Sequence, residues 1–201
     1  MKNRNKRDDI MQAALELIAM QGFHNAPISE IATKAGVAAG TIYRYFENKD
    51  LLILELYNDL GDTIGEAVRK GYPVEKSIRE RFIFLLDRLF EYFLQHPLHF
   101  RYMEQYFNSP YGISLRREKA LGKFDREDII QEILEEGVSR KIMKDLPVEV
   151  LFALICGPMV VLLRDHILGF VVLDRETVGK VTEACWDAVW RSSGESARGE
   201  S

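Results

Sequence analysis

The chain has 201 residues, 47% hydrophobic and 29% charged, a composition that supports a packed core and excludes wholesale disorder. Its net charge of −4 divides unevenly: residues 1–50 hold seven Lys/Arg against six Asp/Glu, and residues 51–201 hold twenty against twenty-five. The first nine residues have no apolar stretch of the secretory kind and no apolar run is expected to reach the roughly 20 residues that span a bilayer, so the expectation is a cytoplasmic protein with no membrane partner.

Period-2 alternation bounded by turns is almost absent, and apolar residues recur at helical spacing, so the chain reads as all-α. Lys2, Arg4, Lys6 and Arg7 make a basic arm. Such an arm can reach phosphates or a minor groove, or remain a solvated tail. The first helix is predicted from Arg7 to Gln21, with Asp8 and Asp9 at its positive end and Ile10, Ala14, Leu17 and Ile18 as its stripe. Gly22 is placed to end it in a left-handed conformation. A second helix covers Ile28–Ala35, Gly36 breaks the chain, and Val37 plugs the turn. A third covers Ala39–Phe46 with Ile42 and Phe46 one turn apart, facing inward. Asn48 can cap a fourth that runs to about Lys70.

A second region follows the break at Gly71–Pro73. Val74–Gln95 carries a wide apolar face, which implies deep burial. Pro97 starts a short helix to about Asn108, Ser109–Gly112 reads as a turn, and a further helix stops at Gly137. Pro147 opens a very apolar helix to about Leu168, and Asp174 caps a last one to about Arg191. Cys156 and Cys185 sit in these helices without metal-site spacing and read as reduced, packing thiols.

Two short helices joined by a glycine-containing turn read as a helix-turn-helix, whose second helix enters the major groove. The outward positions of the third helix are small or hydrogen-bonding: Ala39, Gly40, Thr41 and Arg44. Arg44 can donate twice to guanine, and Thr41 can touch a thymine methyl. Tyr43, Tyr45 and Lys49 border that face and suit phosphates. Spacing alone leaves ordinary packing of two short helices as the alternative.

Gly22-Phe23, Ile31-Ala32, Ala35-Gly36-Val37 and the run from Gly40 to Leu52 closely resemble the DNA-binding signature of the tetracycline-repressor (TetR) family, over roughly residues 8–55. The resemblance implies a three-helix helix-turn-helix domain over 1–50 and a larger helical ligand-sensing and dimerisation domain over 51–192. Residues 193–201 form a polar tail, expected to be disordered. It implies the same base-reading and phosphate-binding positions as the residue chemistry. Two positions depart from the family pattern. Pro27 and Ala38 stand where helix-capping Ser or Thr is usual, which costs a cap at each helix start. Pro27 is nonetheless suited to a first helical position.

The second region is expected to hold a ligand and form a homodimer. Phe82, Phe90 and Phe93 precede a segment carrying His99, Tyr102, Met103 and Tyr106, and Met159 follows on a later helix. Together they suggest a largely apolar pocket for a small apolar or amphipathic molecule, with ordinary core packing as the alternative for each of them. Leu154, Val161, Trp186, Val189 and Trp190 have interface character and would pack against their two-fold mates as a four-helix bundle, the alternative being that both helices pack within one subunit. His96 and His99 stand i, i+3 with Glu104 nearby, but Pro97 lies between them and no third ligand is evident, so neither metal nor cofactor is expected. No nucleophile elbow, phosphate loop, HExxH or paired-acid motif supports an enzyme.

The reading is therefore a repressor that a small apolar molecule releases from a pseudo-palindromic double-stranded operator. The fourth helix would be the mechanical link, and a coupling of 1–3 kcal/mol would weaken DNA binding about 5–150-fold. The alternatives are a regulator of the same fold acting without inducer, and a helical carrier that sequesters an apolar ligand.

Overall fold

The computed structural model describes residues 5–120 and 128–192. Lys2 and Arg4 of the basic arm and the tail 193–201 lie outside the described residues. Among those described, ten helices account for the regular structure: α1 (Lys6–Gln21), α2 (Ile28–Ala35), α3 (Ala39–Ile42), α4 (Lys49–Arg69), α5 (Ile78–Gln95), α6 (Pro97–Phe107), α7 (Pro110–Ala120), α8 (Ile129–Ser139), α9 (Val148–Ile167) and α10 (Arg175–Val189).

The chain forms two compact units, and they do not divide at residue 50. The first holds the described residues up to Ile64 together with those from His96 to the end of α7. The second holds Gly65–Gln95 and the described residues from Asp128 onward. The physical reason lies in the core of the first unit. Ile10, Ala14 and Ile18 of α1 and Ile31 of α2 share it with Ile42 and Phe46, but also with Leu52, Ile53 and Leu56 of α4 and with Tyr102 and Tyr106 of α6. Apolar burial of this extent joins α4 up to Ile64, and α6, to the same unit as the first three helices.

Local chemistry explains most helix ends in this unit. Asn5 caps α1, its side chain accepting from the Arg7 N–H. Gly22 has φ +83° with ψ 169°, a positive-φ conformation favouring glycine, although not the left-handed helical one expected. Gly36, at φ +67° and ψ 31°, is left-handed, and its N–H returns to the carbonyls at the end of α2. Pro27 occupies the cap position of α2, one place earlier than the first helical position, and Ala38 that of α3. Neither supplies a side-chain cap. The expected third helix is shorter than predicted: α3 ends at Ile42 and Tyr43–Tyr45 continue as turns. Asn48 caps α4 as expected, its Oδ1 accepting from the Leu51 N–H at 2.9 Å.

Ser109–Gly112 is not a free turn, because α7 begins at Pro110. A Cβ on Gly112 would stand 2.5 Å from the Tyr106 carbonyl oxygen and 2.6 Å from Phe107 Cα. Glycine is therefore what lets α7 fold back so closely on α6.

The second unit is built on Phe82, Leu85 and Leu86 of α5, Ile133 and Leu134 of α8, Leu151, Ile155 and Leu163 of α9, and Cys185, Trp186 and Val189 of α10. Helix α5 starts at Ile78 rather than Val74, because Ser77 and Glu80 form a capping box. The Ser77 N–H donates to Glu80 Oε2 and the Glu80 N–H donates to Ser77 Oγ. Helix α8 passes Gly137 and ends at Ser139. That glycine leaves room for Met143, whose Sδ would lie 2.5 Å from an added Cβ. Asp174 caps α10, accepting from the Thr177 N–H at 2.8 Å. Its carboxyl pKa lies below the ordinary value because it accepts from Thr177.

Helix α9 corrects one expectation. With a mean hydropathy of 1.8 over 18 residues, it is long and apolar enough to cross a membrane, and less than a quarter of that stretch is buried. Leu151, Ile155, Met159 and Leu163 face the unit's core at i, i+4 spacing, while Val150, Phe152, Leu154 and Val161 are exposed.

Candidate nucleic-acid interface

The face presented by α3 and the turns after it follows from the inward anchors. Ile42 and Phe46 are both 1% exposed. Their burial rotates the segment so that Ala39, Gly40, Arg44, Tyr43 and Tyr45 are exposed and Thr41 is half-buried. A Cβ at Gly40 would meet nothing within 4 Å, and its φ lies in the ordinary range. The fold itself thus makes no demand for glycine there, although glycine weakens a helix by about 1 kcal/mol against alanine.

Lys49 stands at the start of α4. Its ammonium donates to the Phe23 carbonyl, and partial burial lowers its pKa below the ordinary lysine value. An ammonium has three donors, so this bond to Phe23 uses one of them. Tyr111 on α7 donates through its hydroxyl to Asp50 Oδ1 at 2.6 Å. Its ring lies 5.4 Å from that of Phe23. Sequence reasoning missed this pair, since sixty-one positions separate the residues and no periodicity links them.

Arg7 does not belong to a free arm. Its guanidinium bonds Glu55 at 2.8 Å and Asp59 at 3.3 Å and lies over the Phe46 ring, 5.6 Å from its centroid. The hydrogen bond to Glu55 is the largest cause of its raised pKa. Arg7 therefore ties α1 to α4 and steadies Phe46 from outside.

The eight residues expected to line one pocket divide between the units. Phe82, Phe90, Phe93 and Met159 are buried in the second, with Phe82 edge-on to Trp186 at 5.4 Å. His99, Tyr102, Met103 and Tyr106 belong to the first. There Tyr102 is fully buried and donates to the Ile53 carbonyl at 2.7 Å. Tyr106 stacks on Tyr57 at 4.0 Å, and Met103 packs against the same core. Tyr102 and Tyr106 belong to the buried core of the first unit, apart from the four residues of the second. Burial and the neighbouring His96 lower the pKa of His99. Among the described residues no group of three or more His, Cys, Asp or Glu could hold a metal.

The expected interface residues divide too. Trp186 and Val189 are buried inside their own unit, a correction whose cause is the contact of Trp186 with Phe82. Leu154, Val161 and Trp190 are exposed, at 38%, 48% and 42%. Cys156 and Cys185 are free thiols, and burial pushes Cys156 up to about 12.

Comparison with known proteins places this geometry. Residues 10–56 match the profile of bacterial regulatory proteins of the tetR family, and residues 58–191 match that of the tetracyclin repressor-like C-terminal domain. The chain is 33% identical over 89 residues to the fatty acid metabolism regulator protein of Bacillus subtilis. That match covers 44% of this chain and 46% of the relative, so it spans less than half of the relative's length. A TetR family transcriptional regulator from Vibrio parahaemolyticus has a similar structure, with a TM-score of 0.73 and 30% identity over 94% of this chain and 100% of that one. The FadR regulator of Bacillus subtilis in complex with stearoyl-CoA shares the fold, with a TM-score of 0.67 and 24% identity over 89% of this chain and 95% of that one.

Proposed function

The chain belongs to the tetR family of bacterial regulatory proteins, and from that premise we propose that it is a homodimeric cytoplasmic repressor, released from a pseudo-palindromic operator by a small apolar or amphipathic molecule. The observation that carries the DNA reading is the exposed face of Ala39, Gly40 and Arg44 over buried Ile42 and Phe46, flanked by Tyr43, Tyr45 and Lys49. Arg44 reads a base and Thr41 approaches one. The two tyrosines and Lys49 hold the backbone on either side.

The dimer reading is supported by the outward side of α9. Phe152, Leu154 and Val161 expose apolar area that water penalises at about 25 cal/mol per Å². A two-fold mate covers it, with Trp190 at the edge. Two recognition segments about 34 Å apart then meet successive turns of one groove face. Helix α4, whose residues divide between the two units, links the reading head to the ligand-sensing part.

The ligand part of the proposal is tested with a duplex selected from a random-sequence pool by the protein itself. Fatty acyl-CoA, free fatty acids and polyhydroxylated metabolites are then added in turn. An apolar or amphipathic compound is expected to raise the melting temperature and release the duplex together, since the two effects are reciprocally coupled. Release by polyhydroxylated compounds alone would overturn the apolar-ligand reading.

A further inference from the structure

We propose that α7 is a clamp on the DNA-binding end of α4, with Tyr111 the positioning residue that holds Lys49 in its phosphate-facing place through Asp50. This rests on the DNA-binding reading above and adds to it a helix remote in sequence from the helix-turn-helix motif.

Three independent contacts converge on one spot. The Tyr111 hydroxyl donates to Asp50 Oδ1 at 2.6 Å. The next residue back, Lys49, donates through its ammonium to the Phe23 carbonyl. The Phe23 ring closes the triangle, 5.4 Å from Tyr111 and 5.9 Å from Tyr102. The first turn of α4 is therefore tied to the turn after α1 by Lys49 and to the start of α7 by Asp50. Phe23 is wedged beside both ties.

Helix α7 is itself held hard at that end. Ser109 donates to the Tyr106 carbonyl at 2.7 Å. Arg116 donates to the Phe107 carbonyl at 2.7 Å. Gly112 lets the corner close with no room for a Cβ. A corner this constrained fixes where the Tyr111 hydroxyl can be. Burial and the Asp50 carboxylate push the Tyr111 pKa up to about 12, so the hydroxyl stays a donor throughout the physiological range.

The consequence is a second point of control over DNA affinity. A hydrogen bond between a hydroxyl and a carboxylate is directional and short. When α7 shifts, Asp50 loses its partner and the first turn of α4 gains freedom. The ammonium of Lys49 must then be ordered at the moment of binding rather than beforehand, which lowers affinity. The shift acts on a phosphate contact, so it lowers affinity for all duplexes rather than changing which sequence is preferred.

The test uses the full-length chain and duplexes recovered from a random-sequence pool by the wild-type protein. Tyr111→Phe keeps the ring and removes the donor. It is expected to lose about 3–10-fold in affinity for both the selected duplex and a scrambled one. In a Lys49→Ala background the same substitution is expected to change affinity less than two-fold, because the group it positions has gone. Asp50→Asn, which keeps an acceptor oxygen, is expected to retain most of the affinity that Asp50→Ala loses. These variants also probe the pair from its other side if Tyr111→Phe proves unstable. Wild-type affinity for Tyr111→Phe and Asp50→Ala, or an equal loss with and without Lys49, would overturn the clamp. A wild-type protein that shows no preference for any duplex would instead sink the DNA-binding reading.

Discussion

Gly40 is the residue at which sequence and structure argue most sharply for a partner outside the chain. It sits on an exposed helix with an ordinary φ and open space around its missing Cβ. Gly40→Ala is expected to raise the thermal stability of the free protein by about 0.5–1 kcal/mol while weakening operator binding, because the methyl group stands between backbone and base edges. Circular dichroism melting and fluorescence anisotropy check the two halves of that outcome, and a stabilised variant with unchanged DNA affinity would count against the interface. Arg44 and Lys49 separate the two kinds of contact. Arg44→Ala is expected to cost about 1–3 kcal/mol and to relax preference at one base pair per half-site. Lys49→Ala is expected to weaken all duplexes alike and to lower the salt slope by about 1 per contact. Equal loss on specific and random DNA for Arg44→Ala would remove its base-reading role. The exposure of Arg44 was legible in the sequence because its neighbours Ile42 and Phe46 turn inward. The partners of Lys49, Arg7 and Asp50 were not, because long-range hydrogen bonds leave no periodic trace.

Among the elements, α6 shows how far local pattern can mislead. Its aromatic and polar tips look like pocket lining, and it starts at Pro97 as the sequence predicts. A stripe of tyrosines suits a core as well as a cavity, and the sequence left both open. Tyr102, buried with its hydroxyl on Ile53, joins α6 to α4 inside the helix-turn-helix unit. Tyr102→Ala is therefore expected to destabilise the protein by about 3–5 kcal/mol and to abolish DNA binding with the loss of folded unit. Tyr102→Phe is expected to cost only about 1 kcal/mol. Chemical denaturation measures both, and an alanine variant with near-native stability would contradict the core assignment. The helix starts at Asn48 and Asp174 were readable from capping chemistry, and those at Pro97 and Pro147 from the fixed φ of proline. The Ser77–Glu80 box had the same kind of signature. It was obscured because apolar Val74 upstream extended the helical pattern past the true start.

The whole molecule poses the question of what covers α9. Its inner stripe was correctly apolar, but the sequence could not show which apolar residues the chain satisfies by itself. Trp186 finds Phe82 within its own unit, whereas Leu154 and Val161 are left outside. The double variant Leu154→Glu, Val161→Glu is expected to sediment as a folded monomer, since both positions face outward, and to bind the operator far more weakly because each reading head then meets half a site. An intact dimer for that variant would place the interface elsewhere. The compact units also differ from a simple cut at residue 50, because burial along α4 and α6 is a property of folded packing rather than of local composition. The central claim, that the exposed face around Gly40 and Arg44 reads operator DNA as a dimer, is tested most directly by titrating the protein into its selected duplex and a scrambled one at physiological salt. Two chains per duplex are expected, with a preference of about 10³-fold or more for the selected sequence. Equal affinity for the two duplexes, or one chain bound per site, would contradict it.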